Sequence, residues 1–401
     1  MRIPNPKLIW LQEWKPSELT LDAEELAELQ AIPAKLTIQP RGSSYIVTPR
    51  SIVGAATTPR LHVVIEPKLP IDRVFSLLGF ARKFRFAADT TTLAAREGIV
   101  EPFVAAFLDA LQRALRRGLL MSYISKEEAL PTIRGRIRFA EQLRRRYDLP
   151  LPIEVGYDDY TVDTKANRLV KAALRRIERL RLRDSRLRRR TAEALGAFEG
   201  VADMNFDPRR LPTFNYTRLD ARYRPALELA ALLVRNTSVD LHPGAASTSS
   251  ILFDMNDVFE DFVWAAIGDE LRGILPARYR WRQGKSVVLD EDRHVRPEPD
   301  LSLWDGTRCV FVGDAKYKET EQGEVGDIYQ LLAYCSATGL DKGLLLYAEK
   351  PSGSSLHRVV RGGPRLRVET VDVTAPLDQV LERCRALAME IAASAVALAA
   401  A

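Results

Sequence analysis

Residues 310–318, VFVGDAKYK, begin as an apolar strand and run into charge. Side chains alternate along a strand, so Asp314 and Lys316 share one face. An acid and a base at the end of a segment built for burial need a partner or a task. The surrounding pattern supplies the frame. FDMNDVFEDFVWAAIGDELRGIL has helical spacing, and KSVVLD, DLSLW and RCVFVGDAK read as strands. DIYQLLAYCSATG follows as a helix, GLLLYAE and RLRVETVDV as strands, and an alanine-rich helix closes the chain. This α-β-β-β-α-β-β-α order predicts an α/β domain over 246–401.

The 401 residues suggest more than one domain. Residues 1–95 carry short β-type runs, SSYIVTPRS and LHVVIEP, and then the helical spacing of IDRVFSLLGFARKF, which predicts a small β-rich domain. Residues 96–245 are expected to be mainly helical, with LPTIRGRIRF as a short extended interruption. The fold class expected is therefore multidomain α/β.

Charge is concentrated in the central part. Residues 165–190 hold twelve Lys or Arg against two acids, a local +10 in a chain of net +6. Leu169, Ala173, Ile177 and Leu180 form one helical stripe there, with Arg168, Lys171, Arg175 and Arg179 mostly off it. A segment this basic suits DNA phosphates; a solvated face or an acidic protein partner would use the same residues. Arg134 and Arg136 flank Gly135 and are further candidates for DNA contact, although a turn explains that glycine as well. Three scattered cysteines and four histidines make no zinc pattern, which fits a reducing cytoplasm. No stretch reads as a signal peptide or a membrane span.

The second acid of interest is Asp300, just before LSLW. In a regular hairpin with a two-residue Asp305-Gly306 turn, Asp300 and Asp314 fall on opposite faces. A three-residue loop with Gly306 left-handed, or a bulge at Gly313, restores a shared face, so one of these irregularities is expected. Two converging carboxylates beside a lysine suit Mg²⁺, which takes one or two carboxylates and substrate phosphate. Such an ion activates water toward phosphorus, and Lys316 would steady the nucleophile or the developing charge.

PD at 299–300 followed by DAK at 314–316 resembles the PD-(D/E)xK nuclease signature. Gln330 to Tyr334, QLLAY, resembles the QxxxY element of RecB-like members, and Glu260 matches the helical acid that often precedes the strands. FDMNDVFEDFV, PEPDLSL, GDAKYK and IYQLLAY together resemble the McrC family, the nuclease subunit of McrBC-type modified-cytosine restriction systems. IRGRI (133–137) and TVDTKANRLVKAAL (161–174) extend the likeness. The resemblance implies a nuclease-like α-β-β-β-α-β core, a Mg²⁺ held by Asp300, Asp314 and Glu260, and a role for Gln330 beside it. It also implies a McrB-like AAA+ GTPase as partner, docked by residues 1–95. Asp314 stands where the wider signature often has Glu, which brings the metal closer to the strand.

Plainer readings stand beside these. Asp257 and Glu260, like Asp327 and Gln330, have capping-box spacing. Glu298 is a further candidate ligand or a solvated edge residue. A nuclease acting without a partner, or a non-catalytic nucleic-acid-binding adaptor of a GTPase, would carry much of the same pattern. No GxxxxGK[ST] occurs, so an NTP-driven motor would be a separate chain.

Overall fold

The computed structural model describes residues 6–83, 98–147, 151–217, 220–240, 248–318, 324–348 and 354–400. It is a mixed α/β structure of two compact units, one formed by 1–102 with 252–401 and the other by 103–251. The expected segments 1–95 and 246–401 thus lie largely within one unit.

In the first unit, Lys7–Gln12 pairs in parallel with Leu61–Glu66, which pairs antiparallel with Ile52–Thr57. Ser17–Leu19, Leu36–Arg41 and Ser44–Pro49 form a second sheet. The helix Ala23–Ala31 starts on a capping box between Asp22 and Glu25, and Ile71–Ala81 is the helix expected after the strands. Alternate strand residues Ile9, Leu11, Leu61, Val63 and Ile65 are buried together with Leu29 and Val47.

The remainder of this unit is a six-stranded sheet in the order Tyr279–Arg282, Leu301–Asp305, Arg308–Lys316, Lys342–Tyr347, Arg365–Thr370, Ser355–Arg358. The first three strands are antiparallel, and Arg308–Lys316, Lys342–Tyr347 and Arg365–Thr370 run parallel. Lys342–Tyr347 is buried on both sides, as its continuous apolar run requires. Helix Val325–Thr338 packs Leu331, Tyr334 and Cys335 against Trp304, Val312 and Leu345 on one face. Helix Met255–Ile274 takes the other face, where Trp281 donates to the Trp264 carbonyl and Phe259 meets Tyr317.

The strand expected at Lys285–Asp290 is absent. Val287 and Leu289 donate to the Pro297 and Val295 carbonyls, but Pro297 and Pro299 lack the N–H groups a ladder needs. The Asp290 carboxylate turns the chain by accepting from His294 and Val295. The first strand lies earlier, at Tyr279–Arg282.

The second unit is less helical than expected. Ser122–Leu130 and Ile153–Thr161 are long strands, paired along their full lengths and joined by Arg136–Ile137. Gly135 is left-handed (φ +72°), and a Cβ there would lie 2.5 Å from the Gly156 carbonyl oxygen. Helices Lys165–Glu178, Ser185–Gly196 and Arg224–Asn236 bury the predicted stripe of Leu169, Ala173, Ile177 and Leu180.

Candidate active site

The site begins with the hairpin Leu301–Asp305/Arg308–Lys316. Asp305 pairs with Arg308 around a two-residue turn in which Gly306 is left-handed (φ +59°). Trp304 pairs with Cys309, but Leu303 pairs with Phe311, so Val310 is an extra residue on the second strand. From there Leu301 faces Gly313, and one step further Asp300 comes opposite Asp314. Directly opposed residues share a face. The irregularity needed to unite the two aspartates is therefore present, at Val310 rather than at Gly313 or in a longer loop.

Asp300, Asp314 and Lys316 meet on that face. The Lys316 ammonium lies 2.6 Å from Asp314 Oδ2 and 3.7 Å from Asp300 Oδ2. Asp300 Oδ2 also accepts the Ala315 N–H at 3.1 Å. Asp314 is fully buried, and its Oδ2 accepts no well-directed hydrogen bond. Burial, then the Asp300 charge, raises the Asp314 carboxyl above its ordinary range, and Lys316 pulls back only in part. Burial works against the charged ammonium of Lys316, yet Asp314 and Asp300 outweigh it and hold its pKa high.

Glu260 approaches from helix Met255–Ile274. Asp254 caps this helix by accepting from Asn256 N–H, so Asp257 and Glu260 do not form its capping box. Burial, with the charge of Asp300 second, pushes Glu260 up to about 8. Among the described residues, however, no three or more His, Cys, Asp or Glu groups are placed to hold a metal ion together. Asp300 and Asp314 form a pair, with Glu260 close enough to feel their charge.

Gln330 and Tyr334 come from helix Val325–Thr338. Gln330 Nε2 donates to the Tyr334 hydroxyl at 2.7 Å. That hydroxyl is 3.1 Å from the Glu298 carbonyl oxygen and 3.4 Å from Asp314 Oδ1. Gln330 thus touches the pair through the tyrosine, and Glu298, itself exposed, contributes its backbone. Asp327 is not in a capping box with Gln330; it accepts from Tyr347 at 2.6 Å and pairs with Lys318 at 2.8 Å.

Sequence reasoning missed Glu13. It is 2% exposed, accepts the Lys68 N–H at 3.2 Å, and lies 3.4 Å from the hydroxyl of Tyr317, the residue after Lys316. Burial pushes it up to about 7. Its only signal was an acid ending an alternating strand far from the motif.

The basic candidates disperse. Lys171 is buried and donates to the Val201 carbonyl at 2.5 Å, so it lies inside the second unit and not on a DNA-facing surface. Arg168 forms a two-pronged pair with Asp163, and Arg175 pairs with Asp203 and Glu178. Arg134 pairs with Asp159 and covers the Tyr157 ring. Arg179 and Arg136 are exposed and form no ion pair among the described residues.

Residues 47–348 match the family model for the McrBC 5-methylcytosine restriction system component. The chain belongs to the McrBC family. The Type IV methyl-directed restriction enzyme EcoKMcrBC of Escherichia coli (strain K12) is 21% identical over 288 residues, 67% of this chain and 81% of that protein. A refined half-complex from the tetradecameric assembly of Thermococcus gammatolerans McrB AAA+ hexamers with bound McrC matches in fold, with TM-score 0.54 at 17% identity. That match covers 95% of this chain and 99% of the other. A cryo-EM structure of the Thermococcus gammatolerans McrBC complex gives TM-score 0.46 at 19% identity, over 66% and 88% of the two chains. Among the described residues of this McrBC component no helix is long and apolar enough to cross a membrane.

Proposed function

We propose that this chain is the McrC-type nuclease component of a McrBC restriction system in the cytoplasm. It would hydrolyse DNA phosphodiester bonds with Mg²⁺, together with a McrB-like AAA+ GTPase. The observation that carries this reading is the Val310 bulge, which turns Asp300 to the face of Asp314 and Lys316. A bare structural ion pair does not require a third acid beside it, raised to about 8 by burial and charge.

The donor set fits a hard cation. Asp300 and Asp314 both turn an oxygen toward Lys316, and Asp314 Oδ2 is buried without a well-directed donor. Mg²⁺ keeps several waters, so a pair suffices. Asp300 and Asp314 would hold it, with Glu260 alongside, and the ion would supply charge neutralisation and an acidified water. The protein's own groups do the rest. The Ala315 N–H fixes Asp300, and the Tyr334 hydroxyl, steadied by Gln330, fixes Asp314. Lys316 carries its proton at neutral pH and presents a positive charge to the attacking oxygen or the phosphate. Residues 1–95 would dock the GTPase, a role carried over from the family resemblance.

The test combines the chain with a McrB-type GTPase, GTP, Mg²⁺ and DNA containing 5-methylcytosine. Cleavage is expected, and Lys316→Ala and Asp314→Ala should each abolish it while DNA affinity at low salt survives. Full cleavage by either variant would refute the assignment. Robust cleavage without the GTPase would favour a self-sufficient nuclease.

A further inference from the structure

The active pair is rich in negative charge. Asp300 and Asp314 flank a single ammonium, with Glu260 near enough to feel their charge, and a phosphodiester would need further cations to settle there. Several basic residues of the central helices, Arg168, Arg175 and Arg190 among them, are already paired within their own unit.

The edge strand Tyr279–Arg282 supplies such cations. Its pairing sets Arg282 opposite Ser302 and Arg280 opposite Trp304. Ser302 and Trp304 alternate with Asp300 along their strand and share its face. Arg280 and Arg282 therefore project on the side of Asp300, Asp314 and Lys316. Tyr279 and Trp281 point the other way, where Trp281 reaches the Trp264 carbonyl of helix Met255–Ile274. Both arginines are exposed. Among the described residues Arg282 has no ion pair or side-chain hydrogen bond, whereas Arg280 reaches the nearby Ala277 carbonyl. Arg282 stands one cross-strand step from Ser302, which is two residues from Asp300. Just beyond, Lys285 is held over the Trp304 ring, 3.2 Å from its centroid. Three cations thus line the sheet edge, Arg282 nearest the carboxylate pair and Arg280 and Lys285 further along it beside Trp304.

We infer that Arg282, with Arg280 and Lys285 beside it, forms the phosphate-binding edge that receives the DNA backbone at the cleavage site. The inference rests on the nuclease reading and adds where the substrate strand lies. The contact is to phosphate, so it carries no base preference. A cationic edge strand can also serve only to block edge-to-edge aggregation, and the experiment separates the two.

Binding of the full chain to short duplex DNA is measured by fluorescence anisotropy without divalent cations, across a KCl series. Arg282→Ala is expected to weaken binding by roughly 3- to 10-fold near ~0.1 M salt, equally on unrelated sequences. It should also reduce the slope of log K against log salt by about 1. Arg282→Lys should keep the slope, and Arg280→Ala should act in the same direction as Arg282→Ala. An unchanged slope in both alanine variants overturns the inference, as does self-association of the variants with unaltered DNA affinity or a wild-type chain that binds no duplex. Arginine-dependent binding by a chain that never cleaves with Mg²⁺ and a GTPase would leave the edge standing and remove the nuclease reading. Cleavage with an unaltered slope would do the reverse.

Discussion

Glu260→Gln should make this protein more stable in alkaline buffer while impairing it as an enzyme. The folded carboxyl has moved from the ordinary 4.5 to about 8, chiefly through burial and then through Asp300. A raised carboxyl ionises first in the unfolded chain. Stability therefore falls as pH climbs from 4.5 to 8, and the whole penalty is present above 8. That interval corresponds to a ceiling of about 5 kcal/mol. The side chain is half-buried, so solvent screens part of this, and a gain on the order of 2 kcal/mol is expected from glutamine. Glutamine keeps the shape and never ionises. All five tryptophans, at 10, 14, 264, 281 and 304, lie in the unit that contains Glu260, so tryptophan fluorescence during urea unfolding follows this unit alone. Measured in EDTA, the variant should outlast wild type at pH 8.5, and the two should converge near pH 4.5. Adding Mg²⁺ at pH 8.5 should stabilise wild type more than the variant. An equal gain at both pH values, or none at pH 8.5, would refute the argument.

Deleting Val310 removes the surplus residue and leaves Leu303 opposite Phe311 and Asp300 opposite Asp314, so it should keep cleavage in a plasmid assay, as should Val310→Ala; inserting an alanine between Val312 and Gly313 should instead turn Asp314 to the other face and abolish cleavage. Tyr334→Phe removes a buried hydroxyl from Asp314 and the Glu298 carbonyl, and should cost about 1–2 kcal/mol in urea unfolding and slow cleavage. Gln330→Ala, at an exposed position, should do less on both readouts. Gly135→Ala combines a left-handed backbone with a clash against Gly156, and should raise hydrogen exchange along Ile153–Thr161 while leaving the tryptophan-reported transition in place.

Helix Val325–Thr338 and strands Leu301–Asp305, Arg308–Lys316 and Lys342–Tyr347 were legible because each carries its own period and punctuation. The need for a register shift was legible too, since strand parity alone puts Asp300 and Asp314 on opposite faces. Its position was not, because Val310 looks like any apolar strand residue and only the partner strand reveals it as surplus. Ser122–Leu130 escaped notice for a related reason. It is largely exposed and charged, and its strand character comes from pairing with Ile153–Thr161. The basic segment was legible as charge but not as pairing, because composition counts charges without their partners. Lys171 and Arg168 serve the Val201 carbonyl and Asp163 within their own unit. Arg282 was overlooked for a different reason: it lies on the four-residue strand Tyr279–Arg282, which the KSVVLD reading displaced.

The unit bearing the aspartate pair is assembled from two stretches with residues 103–251 between them. A ribosome releases Glu13 and its neighbouring strands on the order of ten seconds before helix Met255–Ile274 begins to emerge. Asp300 and Asp314 follow later still. For the proposed nuclease, translation would act as a safety catch: a product halted before residue 300 would display the amino-terminal sheets and yet hold no scissors for its host's chromosome.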